Sequence, residues 1–442
     1  MFTIGIDIGT TSICIVLFDT EQGKELKTIY ISNESNCISE YEDYLEQDPK
    51  WILEQVIRAT KELVMNEQVA AIGVTGQMHG ILYVDEEGKA VSNLFTWKDR
   101  RADRVYQNND TYAEYLTLKT GYQMYAGFGL TTHFYNQKNN LIPKKAKKFC
   151  TIADFITLGL TKEAVPKMDS TMAASIGGFC VKNRVFDLKV LKQAGLECSY
   201  IPDVVSSGTI VGYFKTCPVI CACGDNQASF LAAVKNPENG IGINVGTGSQ
   251  VSVYDRNYIE TNKLEVRPFF NQGYLYVGAS LNGGKVYEHL ANFIKDICIK
   301  FAGVELEPYE WMGKLAENAT STLNVNPNFY GTRGETKIGG CIEGITKDNF
   351  YITELIQGFI CGMTNELYEL FQRMPDTVCK NRTVVYASGN GLRKNQNYVN
   401  RIEQCFGLPV LFSEYLEEAA VGASMCAAGA IVENEYFIKE KA

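Results

Sequence analysis

The chain has 442 residues, more than one hydrophobic core usually serves, so two domains are expected. It is 45% apolar and 21% charged, an ordinary globular composition. A net charge of −9 argues against nucleic acid or an anionic membrane as the main partner, and no apolar run approaches the ~20 residues of a membrane span.

The first residues enter a strand pattern directly, with no basic region and apolar stretch of a secretion signal. The 14 cysteines sit mostly in apolar runs, where thiols act as small hydrophobes. A reducing cytoplasm is therefore expected. "GIDIGTTSICIVLFD", from Gly5, places β-branched residues on both sides of a Gly-Thr turn and reads as a β-hairpin. "YEDYLEQDPKWILEQVIRATKELV" has helical apolar spacing, and "VAAIGVTGQ" reads as a buried strand ending in a glycine turn. "GQMHG" follows that strand, with Gln77, Met78 and His79. In "TWKDRRAD", Trp97 is a flat apolar wall of the kind sugars stack on, and Asp99 is a candidate acceptor for hydroxyl groups. The plainer reading is a core Trp beside a solvated charge run, and that reading is preferred for Arg100, Arg101 and Arg104.

"CPVICACGD" starts a fresh strand, so a boundary near Thr216 divides the chain into 1–215 and 216–442. Its cysteines have no second pair at metal-site spacing, and the three histidines form no metal motif, so a protein-bound zinc or iron is not expected. Asp225 follows an apolar strand and a glycine, and it also suits the cap of the helix "NQASFLAAV". Asn226 and Gln227 are either hydroxyl-binding amides or plain first-turn polarity.

"GINVGTGSQVSVYD", from Gly242, then repeats the opening. Gly5, Ile6, Gly9, Thr10 and Ser12 match Gly242, Ile243, Gly246, Thr247 and Ser249, and Asp7 falls opposite Asn244. Small turn residues let backbone N–H groups approach an anion, and the hydroxyls of Thr10, Thr11, Ser12, Thr247 and Ser249 add donors. One such turn is weak evidence; two in matching frames, with Gly248 in the second, favour a polyphosphate held between them. Helices follow in "KVYEHLANFIKDICIKFA" and "ITELIQGFICGMTNELYELFQRM", then a strand and glycine turn in "TVVYASGNGLRKN", and a last helix from "EEAAVGAS".

With these motifs in this order, nearly the whole chain resembles the FGGY carbohydrate kinases, members of the actin-like ATPase superfamily. "GDNQAS" with "RPFFNQGYLYVGASLNGGKVYEHL" is most similar to the sedoheptulokinases, and "GQMHG" is shared with xylulokinases. The resemblance implies an α/β fold of two ribonuclease-H-like domains with a cleft between them. It also implies transfer of the ATP γ-phosphate to a ketose hydroxyl, sedoheptulose first and xylulose second. The hairpins would clamp the ATP phosphates, Asp225 would be the catalytic base, and Asp7, with Asp225, would serve Mg²⁺. Gln77, Met78 and His79 would line the sugar, with His79 donating to an oxygen. Gly391 and Asn395 would hold adenine, Gly284 would touch the nucleoside, and Arg333 in "NPNFYGTRGE" would border the phosphates. The implied partners are a sugar and ATP, with no nucleic acid or membrane, and a homodimer is left open.

Two readings compete. A non-catalytic sugar or nucleotide sensor would have dispensed with Asp7 or Asp225, and a filament former would not need "GQMHG" plus "GDNQAS". The chain is short for the family and lacks a Trp in "NNLIPKKAKKFCTIADF", which bears on sugar length rather than on phosphoryl transfer.

Overall fold

The computed structural model describes residues 1–317, 320–331 and 339–441, with the side chains of 65–66 and 433–441 left out of account. Arg333 lies outside the described residues. Strand β1 (Phe2–Ile8) and β2 (Ser12–Asp19) form the first hairpin, and β3 (Lys24–Ser32) extends it. Helix α1 (Pro49–Asn66) starts only at Asp48, whose side chain accepts from the N–H groups of Lys50 and Trp51. Asp48 caps the helix and Pro49 sits at its first position, so the helical spacing upstream of them is not used. The chain continues through β4 (Val69–Gly76), β5 (Cys217–Ile220), β6 (Cys223–Gly224) and helix α2 (Asp225–Ala233).

The second hairpin is β7 (Gly240–Val245) with β8 (Ser249–Asp255), followed by β9 (Tyr274–Ser280). Helix α3 (Gly284–Ile297) runs into a π turn over Cys298–Ala302. Helix α4 (Ile352–Gln372), β10 (Val384–Ser388), α5 (Gln396–Phe406), β11 (Val410–Phe412) and α6 (Glu418–Lys441) complete the series.

Two sheets carry the same wiring. In one the order is β3-β2-β1-β4-β5, and in the other β9-β8-β7-β10-β11. In each, the hairpin and the strand on its outer side are antiparallel, while the next two strands are parallel. The repeated sequence is therefore a repeated fold. The copies differ in one respect: Ile8 faces Ile13 in the first hairpin, whereas Val245 faces Ser249 in the second. The second turn is one residue tighter.

The chain divides into two compact units. The first holds Met1–Ala232, Arg267–Gly273 and Glu417–Ala442, and the second Ala233–Val266 and Tyr274–Leu416. This differs from a single boundary near Thr216, for a physical reason. β5 pairs in parallel with β4 through Val219 and Ile72, so residues after 216 complete the first sheet. Helix α6 also belongs there. It lies so close to β1 and β4 that a Cβ on Gly5 would stand 1.8 Å from the Ala420 carbonyl oxygen, and one on Gly73 would stand 2.0 Å from that of Ala423. The hydroxyls of Thr3 and Ser424 hydrogen-bond across the same seam at 2.5 Å. Segment 267–273 is fixed in the first unit by Ser207 and Asn271, which bond reciprocally, and by Arg184, which donates to the carbonyls of Phe270 and Gly273. Among the described residues, no helix is long and apolar enough to cross a membrane.

Candidate active site

In the first unit, the parallel strands β1, β4 and β6 end together. Thr75 donates to the carbonyl of Cys223 at 2.7 Å, and the Gly224 N–H donates to the hydroxyl of Thr171 at 2.8 Å. Those bonds fix the strand-to-helix corner from which Asp225 opens α2. Asp7 stands one residue before the end of β1, opposite Cys14 and Thr75.

The two carboxylates are electrostatically linked. Burial pushes Asp7 up to about 8, and the like charges of Asp225 and Glu417 push the same way. Burial lifts Asp225 to about 6, while Arg267 and the N–H groups at the helix start hold it down. Both side chains remain partly open to solvent, so they can be reached. A carboxylate whose charge is disfavoured by a second one fits a small divalent cation that keeps most of its water. Among the described residues, no three His, Cys, Asp or Glu side chains gather as a metal site. A cation at Asp7 and Asp225 would therefore draw its other ligands from water and substrate.

Around Asp225 the amides present acceptors. Gln227 is fully buried and donates to the carbonyl of Pro268 at 3.1 Å. Its Oε1, the Oδ1 of Asn226 and the Oε1 of Gln77 are buried without a protein partner. Hydroxyl donors would satisfy all three. Met78 packs over Gly224, where a Cβ would meet its Cε at 2.9 Å, so "GQMHG" and "GDNQ" are neighbours.

His79 takes a left-handed backbone, φ 76°, and its ring stacks on Phe128 with centroids 4.7 Å apart. Its Nδ1 lies 2.6 Å from the carbonyl oxygen of Ser175, which can only accept. That nitrogen therefore carries a proton.

Trp97 is 43% exposed, a core Trp being ruled out, and its indole N–H donates to the Thr10 hydroxyl at 3.0 Å. Asp99 does not meet expectation. It is fully buried, its oxygens accept from Arg101 Nε at 2.8 Å and Nη2 at 2.9 Å, and the Leu45 N–H takes a further position. Arg101 is no solvated charge either. It is 2% exposed, pairs with Glu46 as well, and lies between the rings of Tyr44 and Phe95. This pair braces the loop that presents Trp97 and has no capacity left for a ligand.

The first turn is closed by the Gly9 N–H on the Ser12 carbonyl at 2.9 Å, with Thr11 and Ser12 exposed. In the second unit, Gly246 and Thr247 are exposed, and the Gly246 N–H closes onto Gly248. Ser249 departs from expectation: its hydroxyl is buried and donates to the Asn282 carbonyl. Gly284, at the start of α3, donates to the Gly246 carbonyl at 2.9 Å, and a Cβ on Gly283 would strike Gly248 at 2.3 Å. A Cβ on Gly391 would stand 2.6 Å from a Val245 methyl, so its corner packs on the end of β7. Asn395 caps α5 by accepting from the Tyr398 N–H, which commits its oxygen. Two residues of the first unit were not singled out in the sequence: Arg267 and Gln47. Arg267 carries no local signal, and Gln47 is marked only by its place before the Asp48-Pro49 helix start.

Residues 2–232 match the model of the N-terminal domain of the FGGY family of carbohydrate kinases. Mouse (Mus musculus) sedoheptulokinase is 26% identical over 96% of both chains. A glycerol kinase of Aquifex aeolicus is 24% identical over 95% of this chain and 88% of its own. Among solved structures, a gluconate kinase from Lactobacillus acidophilus superposes with a TM-score of 0.85 at 21% identity, covering 98% of this chain and 89% of its own. A ligand-bound xylulose kinase from the same organism gives 0.83 at 20% identity, over 98% and 90%.

Proposed function

Because the chain belongs to the FGGY family of carbohydrate kinases, we propose that it transfers the γ-phosphate of ATP to a hydroxyl of a ketose, sedoheptulose first and xylulose second. The observation that carries the phosphoryl-transfer reading is the linked pair Asp7 and Asp225 at the ends of parallel strands. The choice of sedoheptulose rests on the likeness to mouse sedoheptulokinase along almost the whole of both chains.

Phosphoryl transfer to an alcohol asks a protein for alignment, charge neutralisation and a proton acceptor. Asp225 takes the hydroxyl proton. A carboxylate lifted to about 6 is a stronger base than an ordinary one, yet it stays ionised at neutral pH. Gln77, Asn226 and Gln227 accept from other hydroxyls of the sugar, Met78 and Trp97 pack on its carbon face, and His79 contacts a sugar oxygen. A polyol fits this row of acceptors better than an apolar alcohol does. Each unit carries its own phosphate-binding turn, Thr10, Thr11 and Ser12 in the first and Gly246, Thr247 and Gly248 in the second. Gly284, Gly391 and Asn395 contact the nucleoside. Asp7 and Asp225 would hold Mg²⁺, which neutralises phosphate charge when bound.

The test is ADP release, coupled to a spectrophotometric readout, across sedoheptulose, xylulose, ribulose, fructose, gluconate and glycerol. Sedoheptulose is expected to give the highest kcat/KM, with a phosphorylated sugar as product. A higher value for another sugar moves the assignment to that sugar. ADP release with none of them, from protein shown to be folded, overturns the kinase reading in favour of a sensor.

A further inference from the structure

Thr10, at the tip of the first turn, is gripped from two sides. Trp97 donates to its hydroxyl, and Gln47 donates from Nε2 to its carbonyl oxygen at 2.8 Å. Gln47 is fully buried, and its second N–H goes to Asn36 Oδ1 at 3.1 Å. Its Oε1 accepts from Gln77 Nε2 at 2.8 Å. Gln77 is 4% exposed, and its Oε1 is the buried acceptor without a protein partner.

The direction of this chain is forced. A backbone carbonyl has no hydrogen to give, so only the Nε2 end of Gln47 can face Thr10. The Oε1 of Gln47 must then point away and needs a donor, which Gln77 supplies from Nε2. Gln77 is left presenting an oxygen. A ligand hydroxyl donating to that oxygen completes a line of hydrogen bonds that ends on the turn, and bonds in such a line strengthen one another. The line acts on the turn through one peptide plane. The Thr10 carbonyl and the Thr11 N–H are held rigidly opposed, so fixing one aims the other.

We infer that Gln47 is a positioning residue that couples a sugar hydroxyl at Gln77 to the aim of the Thr11 N–H in the Gly9–Ser12 turn. Occupancy of the sugar site tightens the grip on ATP, and by linkage ATP tightens the grip on the sugar to the same factor. The inference rests on the reading of this turn as a phosphate cradle.

The experiment is calorimetric binding of a non-hydrolysable ATP analogue with magnesium, with and without saturating sugar, using sedoheptulose and then xylulose. In the wild type, sugar is expected to tighten nucleotide binding about tenfold. In Gln47→Met, which keeps length but loses every hydrogen bond, the ratio is expected to fall to about one, with each ligand alone bound within about threefold of wild type. Kinetically, the KM for ATP at saturating sugar rises by the lost factor while kcat changes less. Gln47→Glu keeps the shape and the bond from Gln77 but cannot donate to Thr10. It is expected to lose the coupling as well, and it answers the question if the Met variant fails to fold. A wild type without coupling, or variants that keep the wild-type ratio, overturn the inference. Because binding and not turnover is read, failure of the phosphoryl-transfer reading appears separately, as absent ADP release from a protein whose coupling is intact.

Discussion

At the scale of single residues, the two raised carboxylates make opposite demands on activity and stability. Asp225 acts as a base only when ionised, so kcat/KM is expected to fall as pH drops through about 6. Arg267 pulls against that rise; Arg267→Met should therefore move the acid limb of the profile to higher pH. Asp225→Asn should cost about 100- to 10,000-fold in kcat at all pH values while leaving both substrates bound. A variant with more than half the wild-type turnover would remove Asp225 from the mechanism. For stability the sign reverses. Asp7 titrates near 3.8 when unfolded and near 8 when folded, so the folded state holds the extra proton between those values. Ligand-free protein should lose stability as pH rises from 4 to 8, by at most about 1.4 kcal/mol per pH unit from this group. Asp7→Asn should flatten that slope in chemical denaturation, and an unchanged slope would show that Asp7 is not the source. Asp7 and Asp225 could be singled out because they lie in dense local motifs. The fate of Asp99 and Arg101 was not. Their partners Leu45 and Glu46, and the Tyr44 ring against Arg101, come from a segment distant in the chain, and a charged run gives no local sign that it will be buried.

At the scale of elements, the duplication read from two Gly-Thr turns extends to five strands in matching order. Alternation and turn chemistry are local properties, which is why the hairpins could be read directly. The one-residue difference in register could not, because it depends on how the turn closes: Gly9 onto Ser12 in one copy, Gly246 onto Gly248 in the other. The glycines under α6 are a further case. Gly5 and Gly73 look like ordinary strand glycines, yet they admit a helix backbone that no side chain would allow. Gly73→Ala would place a methyl 2.0 Å from the Ala423 carbonyl oxygen, which rigid packing can relieve only by shifting the helix. A loss of about 3 kcal/mol or more is expected in urea unfolding. A loss under about 1 kcal/mol would mean that the seam is looser than the close approach implies.

At the scale of the whole molecule, the chain passes between its two compact units four times, at 232/233, 266/267, 273/274 and 416/417. Composition and length suggested two units, but not that the first would be assembled from three separated pieces, since nothing in "RPFFNQG" or "EEAAVGAS" marks a return. Deleting everything after Leu416 removes α6 from the first sheet, together with the Thr3–Ser424 bond. That truncation should abolish the cooperative thermal transition of the first unit, seen by calorimetry. A truncated protein melting within about 5 °C of full length would show that the helix is dispensable.

The same arrangement sets a timetable. A ribosome delivers β1 first and α6 last, and at about 5–20 residues per second the two are separated by roughly 20 to 80 seconds. Until α6 is delivered the buried residues of β1 and β4 wait without their cover, whereas every piece of the second unit, Ala233–Val266 and Tyr274–Leu416, is synthesised before it. The unit begun first is finished last. Growing chains of this protein should therefore lean on chaperones for as long as translation runs, and slowing the last codons would lengthen that dependence.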